Sequence, residues 1–291
     1  MTVYDLRTMQ RCDISDNVVL ALGTFDGCHE GHRAIFGAAK RLAIKLKAKS
    51  GIYTFSSIPN SSTLSKKSIF TLDEKIKFMQ KTGLDYLIVD DFERVKDMSG
   101  EEFFNNVLYS RLKCIGVACG YNYRFGKNAK SSAEDLLDYF KKVGGSVEIC
   151  QKISYDDKVV SSSLIRSLIE DGEVEYMLNF SDPYSIYAPV EYGKQLGRAM
   201  GTPTINQHIP SGKASPKKGV YITECEIGED VYPSVTNIGM RPTVDGDDAK
   251  ENAETHIIGF SGDLYSSYIK VNFYKYLRPE MKFSSISIKN S

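Results

Sequence analysis

An apolar pentad, Val18-Val19-Leu20-Ala21-Leu22, runs straight into Gly23-Thr24-Phe25-Asp26-Gly27-Cys28-His29-Glu30-Gly31-His32, which opens a helical pattern from Arg33 to Lys49. A buried strand that breaks on glycine and re-enters as a helix has few ways to fold. It belongs in a parallel sheet, with the turn at the carboxyl end of the strand. Such a turn suits phosphate. The helix start offers unpaired N–H groups and the positive end of its dipole. Gly23, Gly27 and Gly31 let the main chain turn sharply and approach a ligand. His29 and His32 lie three apart and share a face of the first helical turn. Both can donate hydrogen bonds to phosphate oxygens, where charge builds in phosphoryl or nucleotidyl transfer. Two of the chain's 4 histidines fall in this stretch, which favours nucleotide binding over a merely solvated turn.

Alternation continues downstream. Gly51-Ile52-Tyr53-Thr54-Phe55 reads as a second strand, Ser56 to Ser68 as a polar loop around Pro59, and Thr71 to Glu74 as the capped start of a helix ending near Gly83. Tyr86 to Val89, Ile115 to Cys119 and Val147 to Cys150 follow as strands, with helices opening at Ser99 and running from Ser132 to Val143. This predicts an α/β fold with a parallel sheet and helices on both faces. After Pro183 short alternating segments take over: Gly219 to Cys225, Val231 to Asn237, Thr255 to Phe260 and Tyr268 to Phe273. They are separated by turn residues such as Pro210-Ser211-Gly212, Gly246-Asp247-Asp248 and Ser261-Gly262-Asp263. That pattern predicts a small antiparallel barrel or sandwich. The boundary is placed at Asp182-Pro183, giving domains 1–182 and 183–291, and the 291-residue length fits two domains.

Composition excludes several classes. Lys plus Arg (37) balance Asp plus Glu (37), so no global basic field points to nucleic acid or an anionic membrane. The apolar runs are too short to span a bilayer, and the charged segment from Met1 to Asp16 lacks the apolar core of a signal peptide. A cytoplasmic protein, monomeric or weakly self-associating, is expected. The 6 cysteines form no C-x-x-C pair and suit a reducing compartment. Cys28, at a helix N-terminus, reads either as an activated thiol or as a filler position. Its neighbours already account for the site, which favours the filler.

Two more segments extend the phosphate motif. Gly120-Tyr121-Asn122-Tyr123-Arg124-Phe125-Gly126-Lys127 follows a strand and supplies an amide, two cations and two glycines. Val160-Ser161-Ser162-Ser163-Leu164-Ile165-Arg166 puts hydroxyls at a helix start with an arginine one turn in, another arrangement that grips phosphate. Together with Gly23–His32 and Phe70-Thr71-Leu72-Asp73-Glu74-Lys75, these segments resemble the adenylyltransferase domain of the bacterial bifunctional riboflavin kinase/FMN adenylyltransferase (FAD synthetase) family. In the second half, Gly197-Arg198-Ala199-Met200-Gly201-Thr202-Pro203-Thr204-Ile205-Asn206 is similar to that family's kinase signature. Asn237 to Thr243, Glu254-Thr255-His256 and Tyr276 to Phe283 resemble its remaining landmarks, so the resemblance runs from about Val18 to about Ser284.

The resemblance implies a Rossmann-like nucleotidyltransferase domain followed by a riboflavin-kinase-like β-barrel. The first would transfer AMP from ATP to FMN, giving FAD and pyrophosphate; the second would phosphorylate riboflavin with Mg-ATP. It assigns His29, His32 and Glu254 to catalysis, Glu254 as the general base toward the riboflavin 5′-hydroxyl. Gly23, Phe25, Asp26, Gly31, Ser162, Arg166 and Gly201 would bind ATP or phosphate, and Asn122 and Arg278 the flavin. Thr204 and Asn206 would offer oxygen ligands to Mg²⁺. Departures accompany the likeness. Ser56-Ser57-Ile58-Pro59 replaces a family stretch carrying a histidine and a further proline, on the expected flavin side. Thr202 replaces an aromatic of the kinase signature, and Ala188-Pro189 a glycine-led strand start. Ser285 to Ser291 stands where relatives carry a further helix on the barrel. The expectation is therefore an intact adenylyltransferase beside a kinase that is weakened or otherwise supported. A monofunctional FAD synthetase and a non-catalytic flavin or nucleotide sensor stand as alternatives.

Overall fold

The computed structural model describes residues 1–9, 14–57, 67–191, 204–243 and 246–280, with the side chains of 241–243 and 246–250 left undescribed. The chain divides into two compact units, Met1–Leu164 and Ile165–Ser291.

The first unit is built on strands β1 (Thr2–Asp5), β2 (Val18–Leu22), β3 (Lys49–Phe55), β4 (Tyr86–Asp90) and β5 (Cys114–Gly120). A two-residue hairpin, β6 (Arg124–Phe125) and β7 (Ser131–Ser132), precedes β8 (Ser146–Cys150). The main sheet runs β1-β4-β3-β2-β5-β8, every pair parallel. Crossovers are made by α1 (Glu30–Leu46), α2 (Leu72–Gln80), the short α3 (Phe92–Val95) and α4 (Gly100–Glu102), and α5 (Ala133–Lys142). α4 continues as a π-helical segment, Phe103–Arg111.

The period-two alternation of β2 explains the layering. Val18, Leu20 and Leu22 enter one core with Phe104, Leu108 and Leu136. Val19 and Ala21 enter the other with Phe36, Ala39 and Leu42 of α1. All five β2 residues are buried, as a strand covered on both faces requires.

Boundaries differ from the sequence reading in three places. Helix α1 begins at Glu30 and stops at Leu46, because Lys47 turns left-handed (φ 52°) and its N–H closes onto Ala43 and Ile44. Lys49 is then already in β3. The edge strand β1 was not anticipated: four residues in a charged context carry little periodicity, and pairing with β4 defines it. The π-helical turns after α4 follow from no local signal. The expected cap at Thr71 is present: Glu74 N–H donates to Thr71 Oγ1 (3.3 Å), and Thr71 N–H donates to Glu74 Oε2 (2.7 Å).

A second short hairpin, β9 (Ser154–Tyr155) and β10 (Lys158–Val159), leads to α6 (Ser162–Asp171) and α7 (Val174–Met177). The second unit then carries β11 (Tyr184–Pro189), β12 (Thr204–His208), β13 (Gly219–Ile227), β14 (Asp230–Thr243), β15 (Gly246–Ile257) and β16 (Tyr268–Arg278). They form one antiparallel sheet in the order β11-β16-β13-β14-β15-β12. Its two edges meet: Glu191 N–H donates to Asn206 O (2.8 Å), and Gln207 Nε2 donates to Ala188 O (2.7 Å) and Ile269 O (2.8 Å). The sheet is thus a barrel. Inside it, buried hydroxyls form a chain, Ser234–Thr223–Thr236–Thr255, each contact 2.8 Å.

This unit starts earlier in the chain than the sequence boundary at Asp182-Pro183, because its helices pack on the barrel. Lys217 N–H donates to Ile169 O (3.2 Å), and Tyr276 N–H to Glu175 Oε2 (3.3 Å). The expected strand Thr255–Phe260 is instead the end of a longer one, Gly246–Ile257, so Gly246-Asp247-Asp248 is strand rather than turn. Among the described residues, no helix is long and apolar enough to cross a membrane.

The α2 cap gives a direct test. Thr71→Ala should destabilise the first unit by about 1 kcal/mol, read as a lowered thermal midpoint; Thr71→Ser should restore it.

Candidate active sites

The strand order reverses beside β2: the chain leaves β2 for β3 and β4 on one side and returns to β5 on the other. The carboxyl ends of β2 and β5 therefore flank a topological switch point, where open α/β sheets bind ligands. From β2 comes the loop Gly23–His29; from β5 comes the turn holding the exposed Asn122.

The loop is pinned from behind. Asp26 is 2 % exposed, and its carboxylate accepts from Ile69 N–H (2.9 Å) and Phe70 N–H (3.0 Å). Its carbonyl accepts from Ser162 Oγ (2.6 Å). Thr24 O accepts from Thr54 Oγ1 (3.0 Å) and from Lys75 Nζ (2.9 Å). Gly23 N–H is spent on Tyr53 O (3.3 Å), and a Cβ at Gly23 would strike the Phe25 ring at 2.8 Å. Phe25 and Cys28 hold positive φ (48° and 36°) inside this clamp. Cys28 is fully buried, its thiol donating to Phe25 O (3.5 Å), which makes it a packing residue of the turn.

His29 caps α1 without a side-chain cap bond. It stacks on His32, with ring centroids 3.7 Å apart and planes 22° from parallel. Phe25 meets His32 edge-on at 5.2 Å. Gly31 allows the arrangement, since a Cβ there would come within 3.0 Å of the His29 ring. Burial lowers the His29 pKa to about 4, against an opposing pull from Asp26. Burial also drives His32 well down, helped by His29, whose protonation would compete with it, and by the positive charge of Lys75. Both imidazoles are therefore neutral at neutral pH, and the buried Nδ1 atom of each has no hydrogen-bond partner.

Gly23, Phe25, Asp26, His29, Gly31, His32 and Ser162 are thus one assembly. Phe25 and Asp26 act on the loop through a ring and a carboxylate turned into the protein. Arg166, half-buried, lies on the second turn of α6 and belongs to the second unit. Lys75 carries a role that its place in a motif did not reveal.

In the second unit, register assembles the candidate residues. Thr204 and Asn206 are two apart on β12 and share a face. Asn206 pairs with Glu254 on β15, and Glu254 pairs in turn with Asn237 on β14. Thr204 Oγ1 donates to Glu254 Oε1 (2.9 Å), and Asn252 Nδ2 donates to Asn206 Oδ1 (3.2 Å). Asn237 Nδ2 donates to Glu280 Oε1 (3.2 Å). Glu254 itself is exposed. Arg278 ends β16, with Nη1 donating to Pro279 O (3.2 Å). Gly201, with the rest of Gly197–Pro203, lies outside the described residues. Among the described residues there is no cluster of three His, Cys, Asp or Glu side chains fit for a metal. The hydroxyl and amide oxygens of Thr204 and Asn206 are nonetheless the hard donors that Mg²⁺ takes alongside phosphate.

Residues 12–164 match the family described as FAD synthetase, and residues 180–288 match riboflavin kinase. The chain belongs to the bifunctional riboflavin kinase/FMN adenylyltransferase family. It is 30 % identical over 275 residues to the family's protein from Bacillus subtilis, covering 92 % of this chain and 86 % of that one. It is 30 % identical to that of Listeria monocytogenes (93 % and 87 %) and 29 % identical to that of Escherichia coli K12 (93 % and 88 %). A crystal structure described as a macrolide-efflux protein from Streptococcus pneumoniae superposes with TM-score 0.84 at 27 % identity, covering 98 % of this chain and 94 % of that one. Both domains of the family, and hence its two-part α/β and barrel architecture, are present in this one chain.

The buried histidines set a pH dependence. The folded protein holds His29 neutral down to about pH 4, whereas an unfolded histidine takes its proton near 6.5. Between these values the unfolded chain binds more protons. The stabilisation is full above 6.5 and declines as pH falls, the loss being complete near 4 and amounting to a few kcal/mol on an order-of-magnitude basis. Urea unfolding between pH 4.5 and 7.5 should show this slope, reduced in His29→Gln; an equal slope in the variant would refute the assignment.

Proposed function

We propose that the chain carries out both steps from riboflavin to FAD: its barrel unit makes FMN, and its α/β unit adenylylates it. The observation that carries the first activity is the stacked, neutral pair His29, buried, and His32, half-buried, with unpartnered Nδ1 atoms, at the helix start of the switch point. In this reading an FMN phosphate oxygen attacks the α-phosphorus of ATP, the bond to the bridging oxygen breaks, and pyrophosphate leaves. Charge accumulates on phosphate oxygens, and imidazole N–H groups with the α1 start stabilise it. No covalent enzyme intermediate is needed, since positioning supplies the rest.

Asn122 and Arg166 would hold substrates. Ser162, already bonded to Asp26 O, would steady the loop. Phe55 at the end of β3 and Phe92 at the start of α3 are half-buried and edge-to-face at 5.4 Å, a surface on which a flavin ring could stack.

In the barrel unit, Glu254 would accept the proton of the riboflavin 5′-hydroxyl as that oxygen attacks the γ-phosphorus of ATP. Thr204, through its 2.9 Å bond, orients the carboxylate. Thr204 and Asn206 would hold Mg²⁺, which when bound neutralises phosphate charge. Gly201 would contribute to the phosphate loop, and Arg278 would reach the flavin. A cytoplasmic site suits an enzyme that draws on ATP.

Chromatography of products tests the reading. Riboflavin with Mg-ATP should give FMN and then FAD. His32→Ala should stop at FMN, with FAD formation down by at least about a hundredfold. Glu254→Gln should fail on riboflavin by about a hundredfold or more yet make FAD from supplied FMN. FAD from FMN but none from riboflavin in the unaltered protein would favour a monofunctional enzyme; no FAD from either would favour a sensor.

A further inference from the structure

Lys75 is 3 % exposed, and burying an ammonium is costly unless something depends on it. Its two hydrogen-bond partners are neutral main-chain carbonyls, Thr24 O at 2.9 Å and Phe55 O at 3.0 Å. Thr24 opens the loop after β2, and Phe55 ends β3. One ammonium thus joins α2 to the carboxyl ends of two neighbouring strands. The same α2 approach sends Ile69 and Phe70 N–H groups onto the Asp26 carboxylate, two residues along the loop. A cation reaches from α2 into the loop, and an anion reaches from the loop toward α2. Apolar packing alone would hold α2 on the sheet without a charge, so the ammonium serves the loop.

We propose that Lys75 is a positioning residue for adenylyl transfer, its buried ammonium fixing the loop backbone on which His29 and His32 are mounted. The inference rests on the adenylyltransferase reading of that histidine pair. It carries an electrostatic consequence that a packing role lacks. The groups acting on the His32 ring are His29, stacked on it, and Lys75; both disfavour its protonated form, after burial itself. Burial lowers the Lys75 pKa, against the pull of Asp26 and Cys28 toward its charged form; Asp26 also favours the charged form of His29. Removing the ammonium therefore removes a positive charge that helps keep His32 neutral, so its pKa should rise.

Three substitutions in the full chain separate charge from hydrogen bonding. Lys75→Met loses both, Lys75→Gln keeps donors without charge, and Lys75→Arg keeps both. With only 4 histidines, the ring resonances can be followed by NMR titration and assigned by single replacements. The His32 pKa should rise by about half a unit or more in Lys75→Met and Lys75→Gln and stay in place in Lys75→Arg. The acid limb of kcat/KM for FAD formation should move in parallel, with kcat down about tenfold or more in the uncharged variants. Thermal midpoints report folding, and should Lys75→Met not fold, the Gln and Arg pair decides the matter. An unmoved His32 titration in folded, uncharged variants overturns this inference alone. Full FAD formation by His32→Ala overturns the reading beneath it.

Discussion

Strand β2 is covered on both faces, and the placement of everything polar in the first unit follows from that. Five consecutive residues, Val18 to Leu22, have no surface on which to carry a charged or hydrogen-bonding side chain. The first position at which the chain can meet a ligand is the carboxyl end, where the sheet order reverses. The loop there must turn through Phe25, Gly27 and Cys28 at positive φ, a conformation that costs free energy at the two non-glycine positions. Asp26, Lys75, Thr54 and Ser162 hold it by charge-assisted and hydroxyl hydrogen bonds. The clamp and the chemistry share a few residues because the fold leaves room for both only at this edge.

Much of this was legible in the order of residues. The apolar pentad, the glycines and the spacing of His29 and His32 specify strand, turn and helix start. The Thr71–Glu74 box specifies where α2 begins. Legibility ended where two distant segments complete each other. Lys75 looks like one of many helix lysines until the sheet brings Thr24 and Phe55 to it. Asp26 looks like a ligand-facing carboxylate until Ile69 and Phe70 arrive with their N–H groups. Local pattern encodes the element, while the clamp is encoded in pairs of positions from 20 to 136 residues apart.

The barrel was less legible for a related reason. An antiparallel site is made of registers, and a register depends on where the turns fall. Asn206, Glu254 and Asn237 stand side by side only because β15 lies between β12 and β14, and reading Gly246-Asp247-Asp248 as a turn conceals that β15 begins there. The interior adds a constraint that no motif announces. Ser234, Thr223, Thr236 and Thr255 replace apolar contacts across three strands with a hydroxyl chain. In a dry interior each hydroxyl must point its proton at the next, so one broken contact leaves a partner unsatisfied. Such a core resists a shift in register more than an aliphatic one, and the neighbouring face of β15 carries Glu254.

The two units handle phosphate by opposite electrostatic means. In the α/β unit the loop's own carboxylate, Asp26, is turned into the protein. Asp26 is consumed by main-chain amides, the histidines are neutral by burial, and Lys75 keeps its charge behind the loop. On the proposed reading, anionic substrates meet the α1 dipole, with the Lys75 cation behind the loop. In the barrel unit an exposed glutamate stands among amide and hydroxyl oxygens, a surface that repels phosphate unless a hard cation intervenes. A base is useful where the nucleophile is a hydroxyl that must lose a proton. It is superfluous where the nucleophile is a phosphate oxygen that is already ionised. On the proposed reading, Glu254 answers the hydroxyl nucleophile of the barrel unit, and the α/β unit, whose nucleophile is an ionised phosphate oxygen, needs no equivalent base.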